Sequence, residues 1–135
     1  MNLASNKKEL KVVSDQKGAP TYTKDLAAGL KTFIERSNRA KGTRIYHLAN
    51  TGVTSWFEAA KKLLEEMGLN LPVKPISSKE WKEMNPDSAV RPANSVLGMV
   101  KIKNEFGIEL RNWNDAFNEF WNEVLEKEWQ SLVLR

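Results

Sequence analysis

A chain of 135 residues that is 41% hydrophobic, with five Trp and five Phe, has enough apolar side chain for the core of one domain and too much for a disordered tail. Its 21 Lys and Arg against 17 Asp and Glu give a net charge of +4, scattered along the chain, which suits a small anionic ligand and argues against a nucleic-acid surface. The absence of cysteine excludes disulfides, a cysteine-based zinc site and a thiol nucleophile, and with no signal peptide and no apolar run near the ~18 residues of a membrane span the chain reads as soluble and cytoplasmic, with no membrane partner.

Residues 1–9 read as a flexible, solvated start, since the basic run "NKKELK" is broken by Glu9. "LKVVS" (Leu10 to Ser14) is a short β-branched run, and "DQKGAP" is a turn punctuated by Gly18 and Pro20. "TKDLAAGLKTFIERS" follows with Leu26, Leu30, Phe33 and Ile34 on one helical face. Thr21 or Thr23 is expected to cap that helix, Asp25 suits its first turn, and polar "NRAKGT" ends it.

"RIYHLA" (Arg44 to Ala49) is the best strand candidate and "NTGVT" a turn. "SWFEAAKKLLEEMG" predicts a helix with a Ser55/Glu58 capping box, Gly68 at the C-terminal end, and Phe57, Ala60, Leu64 and Met67 buried. "LPVKPIS" is extended and suited to an edge. "SSKEWKEM" offers a brief helix with Ser77 and Glu80 at capping-box spacing, and "NPDSAVRPANS" is a loop. "MVKIKNEFG" is a short helix ending at Gly107. The longest helix, "WNDAFNEFWNEVLEKEWQSLV", places Trp113, Phe117, Phe120, Trp121 and Val124 on one face. This order predicts an α/β fold with few short, mostly parallel strands and four main helices.

The chemistry of a self-contained active site is missing. The seven glycines are spread singly, with no G-x-G-x-x-G or P-loop pattern, and no Tyr-x-x-x-Lys pair occurs. His47 has no neighbour at metal-ligand spacing and reads as a packed or half-exposed strand residue. No catalytic and no metal-binding residue is assigned.

Three segments together resemble a known family: "VVSDQKGAPTYTKDLA" (Val12 to Ala27), "IYHLANTGVTSWFEAAKKLLE" (Ile45 to Glu65) and "RPANSVL" (Arg91 to Leu97), the last followed by "FGIELRNWNDAFNEF". In this order and spacing they are similar to the C-terminal, substrate-binding part of dTDP-4-dehydrorhamnose reductases, within the extended short-chain dehydrogenase/reductase family. The likeness runs from about Leu10 to Val124, with residues 125–135 extending the last helix of a single substrate-binding region. It implies an enzyme that uses NADPH or NADH to reduce a dTDP-linked 4-keto sugar to dTDP-L-rhamnose. It also implies that the dinucleotide-binding half and its catalytic residues lie upstream of anything in this sequence. The chain then reads as truncated, binding no cofactor and not catalytic alone, with a dTDP-sugar ligand and either the missing half or a second copy as partner. A standalone nucleotide-sugar-binding or interaction module is the alternative, the latter anchored by Trp113, Trp121 and Trp129.

By the same resemblance, "DQKGAPTYT" lines the nucleotide-sugar cleft, with Asp15, Gln16, Gly18, Pro20, Thr21 and Tyr22 on one wall and Arg91, Asn94 and Ser95 on another. Structural roles stand beside these. Asp15 and Gln16 could cap the turn, Arg91 could pair with Asp87 or Glu83, and Asn94 and Ser95 could cap the next helix. Pro20 and Trp56 read as structural. Two positions depart from the family pattern: Ala19 stands where Ser is frequent, and Gly98 where Asp would cap the following helix. Arg44 to Ala49 would belong to a large sheet absent here, so it is expected to repack, pair across a dimer, or stay at an edge with Ile45 and Leu48 exposed. "LKVVS" and "VKPIS" are expected to pair as a small parallel sheet.

Overall fold

A computed structural model describes residues 9–37 and 42–133. The chain divides into two units, one of Met1–Gly18 with Thr54–Ser95, the other of Ala19–Val53 with Val96–Arg135. Residues 1–8 of the start expected to be flexible at 1–9, and residues 38–41 of the "NRAKGT" helix terminator, lie outside the described residues.

The first unit is built on a two-stranded parallel sheet. Strand β1 (Leu10–Val13) pairs with β4 (Val73–Ile76) in the register Leu10 to Val73 and Val13 to Ile76, as the β-branched runs predict. Pro75 gives up a ladder donor, which a two-stranded sheet tolerates. A second, antiparallel pair joins β2 (Lys17–Gly18) to β3 (Thr54–Ser55), where the sequence reading has only turns. Helix α2 (Trp56–Glu66) starts at Ser55, whose side chain accepts from Glu58 N at 3.1 Å. Among the described residues no return bond from the Glu58 side chain accompanies it, so the expected box is half formed. The helix ends at Gly68, whose φ of 64° is the left-handed conformation of a C-terminal glycine. Leu64 is buried and Phe57, Ala60 and Met67 are half-buried, as the stripe predicts. Helix α3 (Ser78–Met84) has the full capping box of Ser77 and Glu80.

The second unit is helical. Helix α1 (Thr23–Arg36) is capped neither by Thr21 nor by Thr23; Tyr22 is its N-cap residue and offers no side-chain bond. Its expected apolar face is also corrected. Leu26, Leu30 and Ile34 are exposed, at 37%, 49% and 58%, while Gly29 is buried. A Cβ on Gly29 would sit 2.9 Å from Leu110 and 3.0 Å from Leu48, so the helix presses its backbone against these residues. Helix α4 (Val100–Phe106) is capped by Met99, not Gly98, and closes at Gly107 in the left-handed region.

Helices α5 (Trp113–Phe120) and α6 (Glu126–Val133) run on through a π-helical turn, Trp121–Leu125. The extra residue of that turn shifts the buried face around the axis. Trp121 is buried, while Trp113, Phe117, Phe120 and Val124 are half-buried. A core of Ile102, Ile108 and Leu110 is flanked by Phe33, Tyr46 and Phe106, whose rings meet pairwise at 5.0–5.3 Å.

Arg44–Ala49 is not a strand. It has no regular secondary structure and alternates in burial: Ile45 and His47 are exposed, Tyr46 and Leu48 half-buried. Among the described residues no backbone–backbone hydrogen bond reaches it. Its β propensity has no ladder to satisfy it, so tertiary contacts with α1 and α4 hold it instead.

Candidate functional site

The first unit contains an open cleft of about 830 Å³ between β1, the start of α2, α3 and the loop at 88–95. Three of the sequence-predicted residues line it: Gln16, Arg91 and Ser95. Two indoles join them. Trp56 follows the Ser55 cap and is 63% exposed, and Trp81 on α3 is 39% exposed. Trp56, which the sequence reads as structural, is therefore not a core residue. No sequence signal marked Trp56, since it stands four residues before Ala60, beside the face of Phe57, Ala60, Leu64 and Met67. Trp81 stands among Lys79, Glu80, Lys82 and Glu83, where a buried aromatic has no apolar company.

The cleft walls are fixed by polar contacts. Both Asp15 carboxylate oxygens accept from Ser78 N, at 3.0 and 2.9 Å, and the Ser78 hydroxyl donates to Asp15 at 2.6 Å. These bonds hold the Asp15 carboxyl below its ordinary pKa. The Gln16 amide donates to the same hydroxyl at 2.9 Å. Asp15 thus anchors the start of α3, a structural role different from the turn cap that the sequence suggests. Lys82 donates to the carbonyls of Pro86 and Ser88 at 2.5 and 2.6 Å and folds the loop back on α3.

Downstream, Lys17 N donates to Ala93 O at 2.8 Å and Ser95 N to Lys17 O at 2.9 Å. The Ser95 hydroxyl donates to Lys17 O at 3.0 Å. Asn94 bridges to Lys17 in parallel register. Asn94 and Ser95 therefore extend the β2 pairing and cap no helix. A Cβ on Gly18 would lie 3.1 Å from the Ser95 hydroxyl, a tight contact to which that hydroxyl, bonded to Lys17 O, would have to yield.

Arg91 is exposed, and among the described residues it has neither an ion pair nor a hydrogen bond, so pairing with Asp87 or Glu83 is not realised. The cleft thus presents two indole faces, a planar guanidinium, the Lys11 chain, an amide and a hydroxyl. Indole stacks on a base or sugar ring, and guanidinium forks onto phosphate oxygens.

Pro20, Thr21 and Tyr22 belong to the second unit, where they line an apolar hollow of about 260 Å³ with Trp113, Phe117 and Phe120. A buried hub fixes this segment. Asn50 is fully buried; its Oδ1 accepts from Tyr22 N at 2.8 Å and its Nδ2 donates to Asp25 at 2.7 Å and Arg111 O at 3.1 Å. Asn50 N donates to the Thr21 hydroxyl at 3.2 Å. The Tyr22 ring packs on Phe120 at 5.4 Å and its hydroxyl donates to Glu123 at 3.1 Å. Desolvation, with that acidic partner, raises the phenol pKa. Sequence reasoning missed Asn50, Asp25 and Arg111 as a unit because they are brought together only by folding.

Among the described residues no group of His, Cys, Asp or Glu could hold a metal ion, and no helix is long and apolar enough to cross a membrane.

The profile of the RmlD substrate-binding domain matches residues 1–126. The chain belongs to that family. It is 42% identical over 91% of its length to the spore coat polysaccharide biosynthesis protein SpsK of Bacillus subtilis, covering 40% of that protein. It is 36% identical over 93% of its length to a dTDP-4-dehydrorhamnose reductase of Sinorhizobium fredii, covering 44% of it. The crystal structure of dTDP-4-dehydrorhamnose reductase from Bacillus anthracis in complex with NADP matches 91% of this chain with 31% identity and a TM-score of 0.76, over 41% of that chain. A Clostridium acetobutylicum reductase matches with a TM-score of 0.77 and 31% identity, over 90% of this chain and 40% of that one. The RmlD family chain described here therefore spans about two fifths of the relatives it matches. Its α/β architecture is that of the corresponding part of these reductases.

Proposed function

We propose that this chain binds a dTDP-linked sugar, with the cleft of the first unit as the site. The observation that carries this reading is the pair of exposed indoles, Trp56 and Trp81, in one cleft with the unpaired guanidinium of Arg91. Stacking on an exposed aromatic is worth roughly 1–3 kcal/mol per base, and a charge-assisted fork on a diphosphate adds orientation. Gln16 and Ser95 supply donors and acceptors at the margin. Asp15, Gly18 and Asn94 shape the wall rather than touch the ligand. Pro20, Thr21 and Tyr22 are held rigid by Asn50 in the second unit.

The parent reaction of the reductases is reduction of a dTDP-4-keto sugar with NADPH. The residues of this chain do not fit the dinucleotide. Among the described residues the left-handed glycines are Gly42, Gly52, Gly68 and Gly107; the last two close helices, and none opens one as a phosphate cradle requires. With no Tyr-x-x-x-Lys pair either, the chain alone binds and does not reduce.

Titration of the chain with dTDP, followed by tryptophan fluorescence and calorimetry, tests the binding site. Saturable binding is expected, weakened about tenfold or more in Trp56→Ala and in Arg91→Ala with unchanged melting temperature. Absence of binding, or binding indifferent to both substitutions, removes the cleft as the site.

A further inference from the structure

Three polar side chains of the first unit form a run of hydrogen bonds with a fixed direction. The bonds from Ser78 hold the Asp15 carboxyl below its ordinary pKa, so at neutral pH it is ionised and can only accept. The Ser78 hydroxyl has one proton and donates it to Asp15 Oδ1 at 2.6 Å. Toward Gln16 that hydroxyl can therefore only accept, and it takes the Nε2–H of the Gln16 amide at 2.9 Å. Chemistry thus sets the sense of the amide: its amino group faces Ser78 and its carbonyl oxygen is turned elsewhere. Among the described residues Gln16 Oε1 accepts no hydrogen bond, and the side chain lines the cleft. Lys17 pairs with Ser55 in antiparallel register, and one step further along it Gln16 stands opposite Trp56, whose exposed indole lines the same cleft. The cleft therefore carries an oriented acceptor beside a stacking ring, with the guanidinium of Arg91 left for phosphate.

We infer that Gln16 Oε1 reads the imide N–H of a thymine or uracil ring, and that Asp15 and Ser78 are positioning residues that lock it as an acceptor. The inference rests on the cleft being the nucleotide site, as proposed above. The direction of the lock selects the ligand group. A sugar hydroxyl both donates and accepts, so either end of a freely turning amide would serve it. A fixed acceptor discriminates only against a partner of fixed polarity. Ring nitrogen N3 of thymine and uracil carries a proton and donates. In cytosine the same nitrogen carries none and accepts, so two acceptors would face each other, both desolvated and unpaired. A site built around a hydrogen bond rejects the analogue lacking the donor far more strongly than an apolar pocket rejects a missing methylene. Asp15 and Ser78 act through Gln16 and touch no ligand.

The test titrates the chain with dUDP and dCDP, which share deoxyribose and diphosphate and differ in the hydrogen-bonding edge of the base. Tryptophan fluorescence and calorimetry read the affinities. The wild type should bind dUDP about tenfold or more tighter than dCDP. Gln16→Met should bring that ratio to about one, mainly by weakening dUDP. Ser78→Ala should collapse it in a different way: the released amide turns, so dUDP weakens while dCDP strengthens. Ser78→Thr keeps the hydroxyl and should keep the wild-type ratio. Damage to α3 alone would weaken both nucleotides together, so parallel weakening in Ser78→Ala overturns the lock. If Ser78→Ala fails to fold, Gln16→Met, outside any helix, decides the matter. Equal affinity of the wild type for the two nucleotides overturns the inference, as does a ratio that survives Gln16→Met. Binding that depends on Trp56 yet shows no such ratio leaves the cleft as the site and removes only the reading of the base. Binding of neither nucleotide removes both.

Discussion

Arg111 closes on Asp25 with two parallel hydrogen bonds, Nε to Oδ2 at 2.9 Å and Nη2 to Oδ1 at 2.8 Å. The remaining guanidinium nitrogen, Nη1, donates to Glu119, which also accepts from Lys24 at 2.6 Å. Asn50 adds its amide to the Asp25 carboxylate from below. A loop arginine, two helices and a buried asparagine are thereby tied at one carboxyl, and the Pro20–Thr23 segment hangs from the same asparagine.

The Arg111 bonds hold the Asp25 carboxyl below its ordinary pKa, with Asn50 acting in the same direction. A depressed folded pKa stabilises the fold fully above the unfolded value, near ~3.9, and the contribution is lost as pH falls through the folded value. Asp25→Asn should cost about 2–3 kcal/mol at neutral pH, because it removes the charge from a mostly buried, bidentate pair. Chemical denaturation against pH should show the wild type losing stability below about pH 4, and the variant with a flatter acid limb. Equal slopes would mean the pair contributes nothing to folding.

Helix α3 carries Trp81 into the cleft, so its start should matter to binding as well as to folding. Ser77 accepts from Glu80 N at 3.1 Å while Glu80 accepts from Ser77 N at 2.7 Å. Ser77→Ala should cost about 1 kcal/mol in urea unfolding, the usual loss for a missing N-cap. It should also weaken dTDP binding modestly through Trp81. A variant with wild-type stability would show that Asp15, on Ser78, caps the helix sufficiently by itself.

The two capping serines were legible because a cap is local: Ser55 and Ser77 stand three residues before a Glu, and both caps formed. Gly68 and Gly107 were legible for the same reason, at the ends of periodic runs. The pairing of "LKVVS" with "VKPIS" could be seen because both runs are β-branched and apolar. Arg44–Ala49 misled as a strand because its propensity needs neighbours that the described residues do not provide. The exposed ridge of α1 misled in the same way: Leu26, Leu30 and Ile34 have helical spacing, but spacing does not name the surface they meet. Gln16, Arg91 and Ser95 line one hollow, whereas Pro20, Thr21 and Tyr22, which the resemblance puts at the same ligand, line another in the second unit. Trp56 is read as structural and Trp81 is not singled out, because an aromatic is read as core until its burial is known. The Asn50 hub joins residues 25, 50 and 111, and no short-range pattern encodes that meeting.

Arg91 should be the salt-sensitive part of ligand binding. An exposed guanidinium on a phosphate is screened over a Debye length of about 8 Å at 0.15 M salt, whereas indole stacking is not. Raising NaCl from 0.05 to 0.5 M should weaken dTDP binding in the wild type. Arg91→Met should bind more weakly at low salt and show little further loss. Arg91→Lys should recover the salt slope but not the full affinity, since an ammonium lacks the planar fork. If the Met variant keeps the wild-type slope, another cation, with Lys11 the first candidate in the cleft, makes the phosphate contact.

Gly52 and Gly68 separate backbone strain from steric collision. Both have positive φ, 87° and 64°. A Cβ on Gly68 meets nothing within 4 Å, whereas one on Gly52 would lie 2.7 Å from the Asn112 amide nitrogen and 2.9 Å from the Trp113 ring. Asn112 caps α5 by accepting from Asn114 N at 2.9 Å, so its side chain cannot move without losing that bond, and the Trp113 ring would have to rotate as well. Gly68→Ala should therefore cost about 1 kcal/mol, the left-handed penalty alone. Gly52→Ala should cost about 3 kcal/mol or more, strain plus a displaced cap. Melting temperatures of the two variants measure the difference directly. Equal losses would mean the loop at Gly52 relaxes away from α5, and that the Thr51–Asn112 bridge is weaker than its geometry implies.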